Sequence, residues 1–369
     1  MGNANKKKNK KSNEKKSPLG SENSTKQVSK NEAYKDKDKI ILEKYEPKNI
    51  SYKLLSQQRH TQEKDPIEEV ITYPTKENSI IIACRSGKIK ELSNITGPSN
   101  KQQFKTLYSF SKRIYSLILL KLNDNKFCVG LENKIVILNL NSGNTLEKEI
   151  ELTCKDEGPI FSLLELSNGN IISAGHNITL WQKDSSKRYN KCNSVPIGNQ
   201  KIANLVEFPN YNTILATQEN THIIYLLKNE GNSINLIDQK ENIPSIGYKS
   251  SAEMLTKNYM LLVGKFELNV IDPQNGVVCS RYPGIDRGSL LNLTQNHQEN
   301  DFWVVTNYFG RYIEFYQQEG NDLIYCDKIE FDDAMVNWGN NLVRINKECF
   351  AAVNYYGYIL VFQVKKISK

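Results

Sequence analysis

The residues that most often carry chemistry are few and widely separated in this chain. It has only four histidines, and no His-Glu-x-x-His pair, Gly-x-Ser-x-Gly turn or glycine-rich phosphate loop occurs. Acidic pairs such as Asp156-Glu157 and Asp332-Asp333 read as solvated surface, although paired carboxylates could also serve hydrolysis. We therefore expect no enzyme activity, no cofactor and no metal. A hydrolase is kept only as a weak alternative. The four histidines are His60, His176, His222 and His297.

The seven cysteines do not form a zinc or disulfide pattern. None lies two to four residues from another, and their number is odd. No apolar leader precedes them and no run approaches the ~18 apolar residues of a membrane-spanning helix. We expect reduced, mostly buried thiols in a cytoplasmic protein. The cysteines are Cys84, Cys128, Cys154, Cys192, Cys279, Cys326 and Cys349.

Positive charge is concentrated at the N-terminus. Residues 1–40 contain 12 lysines and five acidic residues, a local charge of +7, which leaves +1 of the total +8 for the rest. A nearly neutral body makes nucleic acid an improbable partner for it. The leading segment is rich in Lys, Asn and Ser and nearly free of aromatics, so we predict a disordered basic tail over 1–40. Residues 41–65 form a transitional segment, and a globular part spans 66–369.

A dense lysine cluster within this tail has several interpretations. It suits a plain solvated tail, a nuclear import signal, a nucleic-acid arm or a contact with anionic lipid. Gly2 would become N-terminal after removal of Met1, as in myristoylated proteins, and an acyl chain plus a polybasic patch makes a two-signal anchor. Lys6, however, stands where that motif prefers Ser or Thr. The cluster consists of Lys6, Lys7, Lys8, Lys10, Lys11, Lys15 and Lys16.

The globular part repeats one element seven times. The element is an apolar run, a small or polar residue, a tight turn and a second apolar run, as in residues 127–130 and 135–138. The spacings between corresponding residues are 46, 45, 42, 47, 42 and 47. A period near 45 is the length of one four-stranded propeller blade, so the pattern predicts an all-β fold of seven such blades. The corresponding residues are Cys84, Gly130, Gly175, Thr217, Gly264, Thr306 and Val353.

At this point the chain resembles a divergent member of the WD-repeat β-propeller family, over residues 50–369. The Trp-Asp signature survives as Trp181-Gln182, and the turn after the third strand is visible at 140–143 and 272–276. The Gly-His pair of the family is missing. The resemblance implies seven antiparallel blades and a ring closed by a strand from elsewhere, because blade 7 has room for only three. We predict that residues 50–56 supply that strand.

Innermost strands should precede each repeated element. We predict them, blade by blade, at 67–73, 114–120, 160–166, 202–208, 245–250, 290–294 and 334–338.

The resemblance also suggests where partners would bind. In such a propeller the turns between second and third strands gather on one face, and exposed aromatics at turn tips suit protein binding. We therefore predict a non-catalytic interaction scaffold for a multiprotein complex, monomeric outside it. Packing of the same aromatics against neighbouring blades is the competing interpretation, and tethering of the scaffold to a membrane surface is a further alternative. The predicted binding residues are Phe266, Tyr308, Phe309, Tyr355, Tyr356 and Arg85.

Overall fold

The computed structural model describes most of the predicted globular part and one strand before it. The described residues are 51–59, 65–73, 76–97, 101–122, 125–155, 157–197, 201–241, 246, 250–285, 288–294, 301–306, 312–330, 341–354 and 357–365. The predicted tail, 1–40, lies outside them. The described part of the chain contains no helix with the length and hydrophobicity of a transmembrane span.

The strands form seven four-stranded antiparallel sheets. Blade 1 consists of β2 (Ile67–Thr72), β3 (Ile80–Cys84), β4 (Lys88–Ser93) and β5 (Gln103–Ser109), and blade 2 of β6 (Ser116–Leu119), β7 (Lys126–Leu131), β8 (Lys134–Leu140) and β9 (Leu146–Thr153). Blade 3 consists of β10 (Ser162–Glu165), β11 (Ile171–Ala174), β12 (Asn177–Lys183) and β13 (Tyr189–Pro196), and blade 4 of β14 (Ile202–Phe208), β15 (Thr213–Gln218), β16 (Ile224–Asn229) and β17 (Ile234–Lys240). Pro209–Tyr211 forms a 3-10 turn after β14.

Blades 5 to 7 complete the ring, and β1 (Ser51–Arg59) belongs to the last of them. Blade 5 consists of β18 (Ala252–Thr256), β19 (Tyr259–Val263), β20 (Glu267–Asp272) and β21 (Val277–Pro283). Blade 6 consists of β22 (Leu290–Asn292), β23 (Phe302–Thr306), β24 (Tyr312–Glu319) and β25 (Asp322–Glu330). Blade 7 consists of β26 (Asn341–Arg344), β27 (Cys349–Val353) and β28 (Tyr358–Lys365), together with β1.

The ring closes through a strand far away in sequence. β1 pairs antiparallel with β28, from Ser51 opposite Lys365 to Arg59 opposite Tyr358, with a bulge between Leu54 and Ser56. β28 would otherwise present an unpaired edge, which invites aggregation. The closing strand predicted at residues 50–56 is therefore present, and it extends to residue 59.

The core is divided among the junctions between blades. Each of the seven hydrophobic clusters draws its residues from two neighbouring sheets, including one shared by blades 7 and 1. All five residues of β3 are buried. Ile80 and Ile82 face blade 7, whereas Ile81 and Ala83 face blade 2. The second strands read as unbroken apolar runs because both of their faces are covered.

Asparagine occupies most of the left-handed turn positions described in this Asn-rich chain. Six of the seven described non-glycine residues with positive φ are asparagines, with φ between 48° and 59°. Asparagine tolerates this left-handed region better than other side chains do, because its short amide can hydrogen-bond locally. The six are Asn78, Asn94, Asn133, Asn144, Asn212 and Asn220.

Two predicted inner strands are wrong. In blade 5 the inner strand is β18, not 245–250. The backbone of Ile246 instead forms hydrogen bonds of 2.8 Å with Asn220 and Thr221 of blade 4. Its N–H and carbonyl groups are therefore paired with blade 4 and do not form part of the blade 5 sheet. In blade 7 the inner strand is β26. It pairs with β27, with Val343 opposite Ala351, and a short turn connects the two strands. The predicted segment, 334–338, lies outside the described residues.

Candidate functional site at the upper mouth of the channel

The turns between second and third strands define one face of the ring, which we call the upper face. In blades 1, 3 and 5 it carries the turns at 85–87, 175–176 and 264–266. The inner strands begin at this face and surround the central channel. A cavity of about 130 Å³ opens there, and we call it the upper mouth. Its lining includes Glu68, Arg113, Tyr115, Phe161 and Lys201.

A buried carboxylate organises the side of the upper mouth next to blade 1. Glu68, on β2, is 2% exposed. Its Oε1 atom accepts hydrogen bonds from Arg85 Nε at 2.6 Å and from Arg113 Nη2 at 2.7 Å. A carboxylate so well shielded from water needs charged partners, and two guanidinium groups supply them. The two arginines, which are about one-third exposed, leave this cluster with one excess positive charge.

Cations and aromatic rings continue around the mouth as one row. The Arg113 guanidinium lies 4.7 Å from the centre of the Tyr115 ring, and Tyr115 meets Phe161 edge to face at 5.4 Å. The Lys201 amine lies 5.0 Å from the Phe161 ring and 2.8 Å from the Glu219 carboxylate. Such contacts favour fixed positions for rings and cations. The row spans blades 1 to 4 and gives the mouth an amphipathic rim.

Arg113 also retains unused hydrogen-bonding capacity. Its buried Nε has no hydrogen-bond partner among the described residues. Buried donors are normally satisfied, so an unpaired one beside a cavity marks a place where a carbonyl or carboxylate oxygen would be stabilised.

Phe266 is the predicted binding residue that the structure displays most clearly. It lies in the turn between β19 and β20 of blade 5 and is 52% exposed. Its carbonyl accepts a hydrogen bond from the Gly284 N–H at 3.1 Å, and the Lys265 amine lies 5.2 Å from its ring. Phe266 therefore keeps about half of its surface open to solvent.

Arg85 reaches the upper face, but it does so as a partner of Glu68. The other four predicted aromatics, Tyr308, Phe309, Tyr355 and Tyr356, lie outside the described residues, and their role stays a prediction. Gly2 and the seven clustered lysines also lie outside them.

Sequence reasoning missed the residues that form the upper mouth. Neither Glu68 nor Arg113 stands out, because an acidic residue within a strand reads as outward-facing. Tyr115 and Phe161 did leave a signal. The stretches Ile-Tyr-Ser-Leu at 114–117 and Ile-Phe-Ser-Leu at 160–163 align in successive repeats, and both place an aromatic residue just before an inner strand.

The thiols near this face are not poised for chemistry. Burial raises the pKa of the Cys84 thiol to about 12, and it does the same for Cys154. Both thiols stay protonated at neutral pH and are poor nucleophiles. His176 lies in the turn after β11, and its backbone N–H donates to the Glu157 carbonyl at 3.0 Å.

The fold is that of the WD40 β-propellers, as the resemblance indicated. A chain in the crystal structure of a mitotic checkpoint complex superposes with a TM-score of 0.67 at 10% identity, covering 87% of this chain and 98% of that one. The WD40 repeats of RRP9 give 0.63 at 10% identity, over 85% and 100%. The WD40 propeller of Doa1 gives 0.59 at 12% identity, over 86% and 98%.

Comparison at the level of sequence finds no counterpart. No family model matches the chain, and no curated protein matches it. At such low identities the superpositions establish the architecture alone.

Proposed function

We propose that this protein is a non-catalytic scaffold that captures protein partners on its upper face. The observation that carries the proposal is the exposure of Phe266 at the tip of a turn whose backbone is anchored to Gly284. An aromatic ring presented on a rigid turn offers contact area at little entropic expense. The solved propellers named above include one from a checkpoint complex, which fits a role in assembly.

The upper mouth extends the same surface. On the upper face, which also carries Phe266, Tyr115 and Phe161 contribute partly buried aromatic side chains. Arg85 and Arg113 contribute positive charges there. We propose that Tyr308, Phe309, Tyr355 and Tyr356 complete it from blades 6 and 7, since their sequence positions fall in the equivalent turns of those blades.

The test is affinity capture from an extract, with partners quantified by mass spectrometry. A Phe266→Ala variant should lose its specific partners by tenfold or more, the effect of removing a hot-spot ring of about 1.4 kcal/mol or more. Ile237→Ala is the matched control, because Ile237 is 53% exposed but lies on outer strand β17. Equal loss in both variants, or loss in neither, would reject the upper face as the binding surface.

Membrane tethering through Gly2 and the clustered lysines stays a separate prediction. A Gly2→Ala change that moves the protein from membrane to soluble fractions would support it, and an unmodified or acetylated N-terminus in mass spectrometry would remove it.

A further inference from the structure

A second, larger cavity lies at the opposite end of the channel. It measures about 350 Å³ and opens among the turns that follow the inner strands of blades 2 to 4, so we call it the lower mouth. Much of its lining is apolar, and Leu122, 63% exposed, stands at its rim. Three carboxylates and a single lysine also line it. The charged residues are Glu165, Glu207, Glu253 and Lys121.

The three carboxylates are held in place by neutral donors from neighbouring blades. Glu165 accepts hydrogen bonds from the backbone N–H groups of Lys121 and Leu122. Glu207 accepts one from the Ser167 N–H at 2.7 Å and one from its hydroxyl at 3.0 Å. Glu253 accepts one from a backbone N–H of blade 6. These bonds hold the carboxylates in place at the lower mouth without cancelling their charge.

At two of these carboxylates the effect of burial outweighs that of the nearby positive charge. Burial raises the pKa of Glu253 to about 7, and the opposing effect of Lys121 is smaller. Burial likewise raises the pKa of Glu165. A cation in the lower mouth would lower both of these pKa values, because an opposite charge at close range favours the ionised form of a carboxyl group.

The chain enters the ring on this same side. Ser51 pairs with Lys365, at the end of β28 that lies away from the upper-face turn at 354–357. Fifty residues precede Ser51, and they include the lysine cluster of residues 6–16. The 34 residues between Lys16 and Ser51 can span up to about 120 Å. A four-stranded blade is only about 15 Å wide, so the cluster can reach the lower mouth.

We propose that the lysine cluster of residues 6–16 binds in the lower mouth of its own propeller. The ammonium groups pair with Glu165, Glu207 and Glu253, and the aliphatic stems lie along the apolar lining, as lysine side chains do at such boundaries. The contact uses the face opposite the upper mouth. It therefore stands or falls independently of the proposed scaffold function.

Carbodiimide coupling of the full-length protein tests this proposal, because the reagent joins a lysine amine to an adjacent carboxylate with loss of water. The expected peptide map links lysines of residues 6–16 to Glu165, Glu207 or Glu253 within a monomer. The contact between Lys134 and Glu151, 2.5 Å apart, is the internal positive control. In the E165Q/E207Q/E253Q variant the links to these three positions must vanish, because a carboxamide does not react with the carbodiimide, while the control link should persist. Glutamine keeps the carbonyl oxygen that accepts the backbone hydrogen bonds.

Three results would overturn the proposal. The first is that tail lysines couple to carboxylates of outer strand β9 as often as to those of the lower mouth, and the second is that links form only between two copies of the chain. The third is that vesicles containing phosphatidylserine bind the parent and the triple variant equally, which would show that the tail lysines are not bound in the lower mouth. We expect the triple variant to bind these vesicles more tightly than the parent does. If the triple variant does not fold, the map of the parent protein alone decides.

Discussion

The Nη2 atom of Arg113 lies 2.7 Å from the Glu68 carboxylate, and this ion pair joins the inner strand of blade 1 to the segment that leads into blade 2. Arg85 completes the cluster from the upper-face turn of blade 1. One buried carboxylate thus fixes two cations at the mouth of the channel and connects two neighbouring sheets.

Replacing Glu68 by glutamine should destabilise the propeller. The change removes the charge that both guanidinium groups contact, and hydrogen bonds to charged groups contribute roughly 1.5–3 kcal/mol. Urea unfolding should show a lower midpoint with an unchanged slope. Glu151→Gln is the control, because its pair with Lys134 is largely exposed and should contribute no more than about 1 kcal/mol. Equal losses in the two variants would mean that the cluster is not structural.

Gly130 should not tolerate a side chain. A Cβ atom there would overlap Ser116 Oγ and lie 2.6 Å from the Ile160 carbonyl oxygen, at the junction of blades 2 and 3. Gly130→Ala should therefore lower the free energy of unfolding by about 1–3 kcal/mol. Gly143→Ala, where the nearest atom is the Asn141 side chain at 3.3 Å, should change it little. The idea fails if thermal unfolding does not separate the two variants.

Glu253 should make the stability of the protein depend on pH. Its pKa in the folded state, about 7, lies above the ordinary value of 4.5, so the unfolded chain ionises first as the pH rises. Stability from this group is therefore lost between about pH 4.5 and 7 and stays low above that range. Glu253→Gln should add about 1–3 kcal/mol at pH 8 and almost nothing at pH 4.

The measurement is urea unfolding of parent and variant across that pH range. High salt should be used, so that the proposed tail contact is screened. A difference between the two proteins that does not change with pH would contradict the prediction.

Truncation should separate the tail from the ring. Removing residues 1–40 leaves β1 intact and, at high salt that screens the proposed tail contact, should leave the unfolding midpoint unchanged. Removing residues 1–60 deletes β1, exposes the edge of β28 and should yield insoluble or unfolded protein. Soluble expression and circular dichroism of the two fragments report the result. A fragment 61–369 as stable as the whole chain would show that the closing strand is dispensable.

The sequence predicted the ring better than its surface. Seven apolar repeats near a 45-residue period reflect second strands covered on both faces, and that physical demand leaves a plain pattern. The inner strand of blade 5 was misplaced because Ile246 is apolar, yet its backbone pairs with a turn of blade 4. Glu68 could not be recognised, because its role depends on two arginines brought to it by the closure of the fold.

The central claim is that aromatic residues at the upper-face turns bind partners and do not hold the fold together. Its most direct test measures partner capture and the melting temperature on one variant, Tyr308→Ala/Tyr355→Ala. We predict that capture falls at least about tenfold while the melting temperature is nearly unchanged. Retained capture, or a large drop in melting temperature that accounts for its loss, would contradict the claim.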